Sequence, residues 1–203
     1  MPLELLDTLA GGWLSVLRTP LSEAQLAQFA RYAELLATWN ERINLTAITD
    51  LEGIVVKHFL DSLSVLVALD PVAQAGTSII DVGTGAGFPG IPLAIVRPTW
   101  QITLLEATRK KVDFLQLVAD ELGLSNAVTL WGRAEEQGHE AAQREQYDVA
   151  VARAVAELPV LAEYCLPFVR VGGRWVAQKG ARVEEEVQNA HNALGQLGGR
   201  LVG

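Results

Sequence analysis

Apolar residues recur at helical spacing through roughly the first seventy positions, and afterwards in short runs separated by amphipathic segments. Leu26, Phe29, Ala33, Leu36 and Ala37 share one side of a 3.6-residue repeat, and Ser22 with Gln25 three residues on has the form of a capping box. The stretch NERINLTAITD (40–50) interrupts this pattern as a loop. Ile54, Val55, Phe59, Leu63 and Leu66 then define a second helix over about 51–69, and residues 71–76 read as a linker. The runs SIIDV, QITLLEA, AVTLWG, YDVAVAR and GRWVAQK predict five strands, with helices between them at about 90–97, 109–122, 156–170 and 181–197. This alternation implies parallel strands joined by crossover helices. The expected fold is α/β: a doubly wound, mostly parallel sheet over residues 71–203, preceded by an N-terminal helical extension over residues 1–70. Gly199–Val202 reads as the start of a sixth strand.

One junction departs from simple patterning. In IIDVGTGAGFPGIPLAI (79–95) a strand ends in Asp81, passes Gly83, Gly85 and Gly87, and enters a helix near Pro89. Alternating glycines permit a sharp turn and the close approach of a ligand, and the free N–H groups of the next helix face that turn. The loop therefore predicts a nucleotide-like cofactor. Gly85, Gly87 and Gly90 fit a dinucleotide fingerprint, and Glu106, nineteen residues after Gly87, stands where a ribose-binding acid would. The same residues also read as the D-x-G-x-G-x-G pattern of S-adenosylmethionine (SAM) enzymes. Charge favours the second reading, because Asp81 repels a pyrophosphate and attracts the sulfonium and ammonium of SAM. The roughly eighty residues before the loop agree, since a dinucleotide fold usually opens with this strand.

Ligands of open α/β sheets sit outside the carboxyl ends of the strands, at the point where strand order reverses. The candidates there are Asp81 and Gly83, Glu106, Gly132 to Glu135, Arg153 and Lys179. A carboxylate such as Glu106 suits two ribose hydroxyls because it only accepts hydrogen bonds. Ala134 and Glu135 fall where an adenine edge would lie. Arg153 follows the apolar run VAVA directly, a costly place for a guanidinium unless it meets an anion or a planar ring. Arg109, Lys110 and Lys111 open a helix against its macrodipole, which points to a phosphate backbone as their partner.

Composition changes the picture only in places. Half of the 203 residues are apolar, but no run approaches the ~18 residues of a membrane span. There is no secretory pattern at the N-terminus, and a monomeric cytoplasmic protein is expected. The lone Cys165 and the scattered His58, His139 and His191 give no metal site and no disulfide. Cys165 lies in a helical stretch, which argues against a cysteine nucleophile. The net charge of −8 disfavours nucleic acid, yet Lys57, Arg109, Lys110, Lys111, Arg133, Arg153 and Lys179 all fall near the glycine loop. No Asn/Asp-Pro-Pro-aromatic motif follows the fourth strand, so methylation of an exocyclic base amine is disfavoured. The residues alone leave open a SAM methyltransferase of unspecified acceptor, an NAD-type oxidoreductase or nucleotide-binding regulator, and a non-catalytic RNA-binding module.

Several segments, in order along the chain, resemble one family: NERINLTAI (40–48), KHFLDSL (57–63), IIDVGTGAGFPGIPLAI (79–95), TLLEATRKKVDFL (103–115), ARAVAEL (152–158) and QKG (178–180). These are similar to the bacterial 16S rRNA guanine-N7 methyltransferases, also called glucose-inhibited division protein B. The GFPGIPLAI extension of the loop is the most specific match. The resemblance implies a Rossmann-like SAM-dependent methyltransferase fold, SAM as cofactor, and 16S rRNA or the 30S subunit as partner. It implies that Asp81, Gly83, Gly85, Gly87 and Phe88 serve the cofactor, and that Glu106, Ala107 and Thr108 hold its ribose. Ala134 and Glu135 would hold its adenine, with Arg153 near the methyl group. His58, Asp61 and Lys179 would line the same face, with His58, Arg109, Lys110, Lys111, Arg133 and Lys179 as RNA contacts. Members of that family continue past the last helix with a further strand pair and a basic tail, so the C-terminal strands are expected to be missing here.

Overall fold

A computed structural model describes residues 1–17, 20–70, 73–153, 156–180 and 183–202. The start of the expected 71–76 linker, the start of the 181–197 helix, Ala154 and Val155 of ARAVAEL, and Gly203 lie outside the described residues.

Five strands form one sheet: β1 (Ser78–Val82), β2 (Gln101–Glu106), β3 (Ala127–Trp131), β4 (Tyr147–Arg153) and β5 (Val169–Gln178). They run in the order β3-β2-β1-β4-β5, and every pairing is parallel. Strand order reverses between β1 and β4, so the carboxyl ends of these two strands flank the crevice of a doubly wound sheet. Alternation along each strand sorts side chains onto two faces. Ile79, Ile102, Leu104, Val149 and Val151 join a core with α6 (Gly90–Val96), α7 (Arg109–Glu121) and the N-terminal helices. Ile80, Val82, Leu105, Ala150 and Ala152 join a second core with α9 (Leu158–Cys165) and α10 (Val183–Gln196).

The N-terminal helices are α1 (Leu3–Leu17) and α2 (Glu23–Asn40). The capping box of α2 forms as its residues require: the Gln25 amide donates to Ser22 Oγ at 3.2 Å, and the Ser22 amide donates to Gln25 Oε1 at 2.9 Å. Phe29, Tyr32 and Leu36 of α2 are fully buried in the same core as Ile91 and Leu104, so these helices close one face of the sheet.

Four expectations need correction. The helix expected at 51–69 is broken into α3 (Leu51–Gly53), a π-helical turn (Ile54–Leu60), α4 (Asp61–Ser64) and α5 (Leu66–Leu69). Apolar periodicity reads the buried face and does not register one extra residue per turn. The helix expected to run to 170 ends at Cys165, and a 3₁₀ turn, Leu166–Phe168, follows because Pro167 lacks the N–H a continuing helix needs. That early end lengthens β5 to begin at Val169. Gly199–Val202 is irregular: the Gly199 amide donates to Leu194 O at 2.8 Å and closes α10 in place of a strand.

The loop after β1 is built against α2. Gly87 has φ +105°, and a Cβ there would come within 2.7 Å of both Tyr32 Oη and Ile91 Cγ1. Tyr32, fully buried, donates its hydroxyl to Ala86 O at 2.5 Å. Replacing Tyr32 with Phe leaves that carbonyl buried without its partner. The expected loss is about 1–2 kcal/mol of stability, to be read as a lower urea midpoint at unchanged slope.

Candidate functional site

Where the sheet's strand order reverses, a cleft of about 350 Å³ opens at the carboxyl ends of β1 to β4. Its walls are Val82, Gly83 and Gly85 from the first junction and Leu105, Glu106 and Ala107 from the second, with Lys111 at the start of α7. Gly132, Arg133, Ala134 and Glu135 follow β3, Arg153 ends β4, and Tyr164 projects from α9. The short helix α8 (Ala134–Gln137) places Ala134 and Glu135 at the rim. A depression of similar size, about 360 Å³, lies at the opposite ends of β1, β4 and β5. Of its charged groups, Asp148, Arg170 and Arg174, the first two are paired at 2.5 Å.

Asp81 lies beneath the cleft and is fully buried. Its Oδ2 accepts the Thr84 hydroxyl at 2.6 Å and the Gly90 amide at 2.7 Å. Its Oδ1 is buried and has no hydrogen-bond partner among the described residues. Desolvation raises its pKa from the usual carboxylate range to about 6, against the hydrogen bonds of Thr84 and Gly90 and the attraction of Arg153. A Cβ at Gly90 would lie 2.3 Å from Leu104 Cδ2 and 2.8 Å from Asp81 Oδ2, so the close approach of both side chains requires glycine there.

Glu106 ends β2 with little exposure. Its Oε2 accepts the Gly85 amide at 3.1 Å and its Oε1 the Thr108 amide at 2.8 Å, so both oxygens are fixed while each retains a second acceptor position. Two carboxylates thus bracket the glycine loop, one buried below it and one at its side.

Arg153 is anchored toward the N-terminal helices. Its Nη1 meets Asp61 Oδ2 at 2.8 Å and also donates to Lys57 O at 3.3 Å and Ser62 Oγ at 3.4 Å. Its Nη2 lies 3.3 Å from His58 Nδ1, and the guanidinium sits over the Phe88 ring at 5.0 Å. Because arginine only donates, His58 Nδ1 is the acceptor, and the proton is on Nε2, 2.7 Å from Thr46 Oγ1. Burial, then the Arg153 charge, lowers the His58 pKa to about 4, so the ring is neutral at physiological pH. It stacks on Phe88 at 4.4 Å with 15° between the planes.

The structure brings most of the expected cofactor residues together and separates the expected RNA contacts into two groups. Gly83, Gly85, Glu106, Ala107, Ala134, Glu135 and Arg153 line the cleft, with Asp81 below it. The Phe88 ring is buried under His58, and Gly87 packs on Tyr32. Thr108 caps the approach to α7 beside Glu106. Lys111 and Arg133 line the cleft, and Arg109 and Lys110 precede Lys111 in the first turn of α7; Arg109 pairs with Asp113 at 3.2 Å and Arg133 with Glu135 at 2.9 Å. His58 and Lys179 are instead held in packing. Lys179, 12% exposed, binds Glu186 at 2.7 Å and Ala156 O at 2.8 Å. Sequence reasoning missed Tyr164, because a tyrosine in a helix of apolar spacing reads as core. Cys165 is buried in the second core, where burial pushes its thiol pKa far up. Among the described residues no group of three or more His, Cys, Asp or Glu could hold a metal ion, and no helix is long and apolar enough to cross a membrane.

Comparison with known proteins agrees with this architecture. A solved structure of a Methanococcus jannaschii fibrillarin pre-rRNA processing protein superposes with a TM-score of 0.51 at 18% identity, over 64% of this chain and 60% of that one, a likeness of fold alone. The ribosomal RNA small subunit methyltransferase G of Alkaliphilus metalliredigens is 53% identical over 182 residues, 90% of this chain and 75% of its own length. The enzyme of that name from a Roseiflexus species is 50% identical over the same length of alignment, with 90% of this chain and 76% of its own covered. The family model described as rRNA small subunit methyltransferase G matches residues 25–201. With its sheet, its glycine loop and nearly its whole length matched, this chain belongs to the rRNA small subunit methyltransferase G (GidB) family.

Proposed function

We propose that this protein transfers the methyl group of SAM to N7 of a guanine in 16S rRNA, acting as a cytoplasmic monomer on the RNA of the 30S subunit. The observation that carries the reading is the pair of carboxylates around the glycine loop. Among the described residues, Asp81 Oδ1 is a buried acceptor with no hydrogen-bond partner, on the residue just before Val82 and Gly83 of the cleft wall. Such an atom suits a cationic ligand and opposes a pyrophosphate. Gly83 and Gly85, with φ of +70° and +62°, leave the floor free of side chains.

When bound, SAM supplies an electrophilic methyl group on a sulfonium. Guanine N7 offers a lone pair and carries no proton, so the protein needs no general base and no nucleophile. Its task is to align donor and acceptor and to hold fixed dipoles around the charge that moves onto the base. Asp81 would favour the positive end of the cofactor, with Gly83, Gly85, Gly87 and Phe88 shaping the loop over it. Glu106, beside Ala107 and Thr108, would accept from the ribose hydroxyls, and Ala134 with Glu135 would meet the adenine. Arg153, held rigid by Asp61, His58 and Phe88, would shape the site around the methyl group, its charge offset by Asp61. Arg109, Lys110, Lys111 and Arg133 at the rim would face the RNA phosphates, and His58 and Lys179 would act by holding the surfaces behind them.

Methyl transfer from radiolabelled SAM to 30S subunits lacking the modification, with nuclease mapping of the product, tests the reading. Label at a guanine N7 is expected; label on an exocyclic amine, a ribose or a protein would replace it. Cys165→Ala is expected to keep activity, and its complete loss in a folded, SAM-binding variant would contradict the mechanism.

Asp81 makes cofactor binding pH-dependent. In the free protein it protonates as pH falls through about 6, and a cationic ligand selects the ionised form. Affinity measured by calorimetry should therefore weaken about tenfold per pH unit below 6 and level off above it. Asp81→Asn should bind more weakly at pH 7 and lose that slope. For the free protein the sign is opposite. The raised pKa favours the folded state below about pH 4, and that contribution, up to about 3 kcal/mol, is lost as pH rises through 6. Denaturant midpoints of wild type against Asp81→Asn over pH 4–7 would show it.

A further inference from the structure

Beside the cleft stands an aromatic side chain that neither core absorbs. Trp131 ends β3, at the sheet's edge, opposite Glu106 of β2. It is 55% exposed and does not line the cleft. Its ring is nevertheless fixed. The indole Nε1–H donates to Ala107 O at 3.0 Å, and the Arg109 guanidinium lies 5.2 Å from the ring centroid, itself tied to Asp113 at 3.2 Å. An exposed indole held both at its N–H and over its ring has given up freedom without gaining burial, and it forms a preorganised flat surface. The charge around it is positive: Arg109 and Lys110 open α7, and Arg133 follows two residues after the tryptophan, all exposed.

We propose that Trp131 is a stacking platform for an unpaired base of the RNA substrate, next to the guanine that enters the cleft, with Arg109, Lys110 and Arg133 meeting the adjoining phosphates. The proposal rests on the RNA methyltransferase reading. Unstacked bases bind to aromatic faces and to arginine planes, and such binding tolerates any sequence because every base has a π-face. The cofactor adenine is not the occupant, since the ring lies outside the cleft walls. An acidic protein surface would be drawn to the same cations but has no use for a fixed indole plane.

The test uses the full chain carrying Trp131→Ala, Trp131→Phe or Lys110→Ala. Three quantities are read: kcat and KM on 30S subunits lacking the modification, SAM affinity by calorimetry, and direct binding of a single-stranded oligoribonucleotide across a salt series. Trp131→Ala should raise KM for RNA, and weaken oligonucleotide binding, about tenfold. It should leave SAM affinity and melting temperature unchanged, and Trp131→Phe should recover most of the loss. Lys110→Ala should reduce the slope of log affinity against log salt by about one, whereas Trp131→Ala should not alter it, because stacking releases no counterions. Unchanged KM and oligonucleotide binding in Trp131→Ala would overturn the proposal. So would a matching loss of SAM affinity, which would assign the ring to the cofactor. If wild type methylates no RNA, the methyltransferase reading fails separately, and the oligonucleotide comparison still decides the platform.

Discussion

The Asp81 carboxylate binds the Thr84 hydroxyl and the Gly90 amide through the same oxygen, and so ties the end of β1 to the start of α6 across the glycine loop. The chain reverses from strand to helix within these few residues, and this tie joins the two ends of the turn, while Glu106 and Tyr32 hold its middle. The arrangement is costly, because the carboxylate is fully buried and its second oxygen has no partner. The displaced pKa measures that cost. A fold optimised for stability alone would place an asparagine or an apolar residue there. Retaining an uncompensated acid under a cleft makes sense where a cation arrives to complete it, and stability is then set against function at one residue.

The same loop rests on the N-terminal helices from its other side. Tyr32 holds Ala86, and Phe88 lies between Tyr32, Phe59, His58 and Arg153. The π-helical turn supplies the geometry: the Asp61 amide reaches back to both Val56 and His58 carbonyls, while the Lys57 and His58 carbonyls face the Arg153 guanidinium. Wider turns of this kind expose carbonyls that a regular helix would bury in its own ladder. Arg153 therefore ends β4 not as a free cation but as a brace between sheet and helices.

Much of this was legible in the residues, because the strands are short apolar runs bounded by turn signals and the glycine loop has few alternative uses. That Glu106 and Ala134 with Glu135 line the cleft follows from their place at strand ends, which topology alone dictates. Partners were not legible. The position of Arg153 after VAVA showed that it needed an anion or a ring; it has both, Asp61 and Phe88, from segments far apart in sequence. Periodicity could not show the π turn, since one inserted residue leaves the apolar face in place. Nor could it show that His58 is a neutral stacking group or that Lys179 is tied to Glu186, because both depend on side chains that meet only after folding. The expected sixth strand failed for a related reason: Gly198 at φ +74° and Gly199 close a helix, and glycine-rich endings look alike in either role.

Charge raises the sharpest question about an RNA substrate, for the chain carries a net −8. The ion pairs around the cleft resolve it by exposure. Arg133 and Arg109 are each 64% exposed in pairs with Glu135 and Asp113. Such surface pairs contribute about 0–1 kcal/mol and are weakened by salt. A backbone phosphodiester, with one negative charge shared over two oxygens like a carboxylate, can exchange with those partners at little cost. Arg153 and Lys179, at 14% and 12% exposed, cannot be released as cheaply, because each would leave a half-buried acid and unfilled backbone acceptors behind. The basic residues near the loop therefore divide by energetics into exchangeable cations at the rim and fixed cations inside.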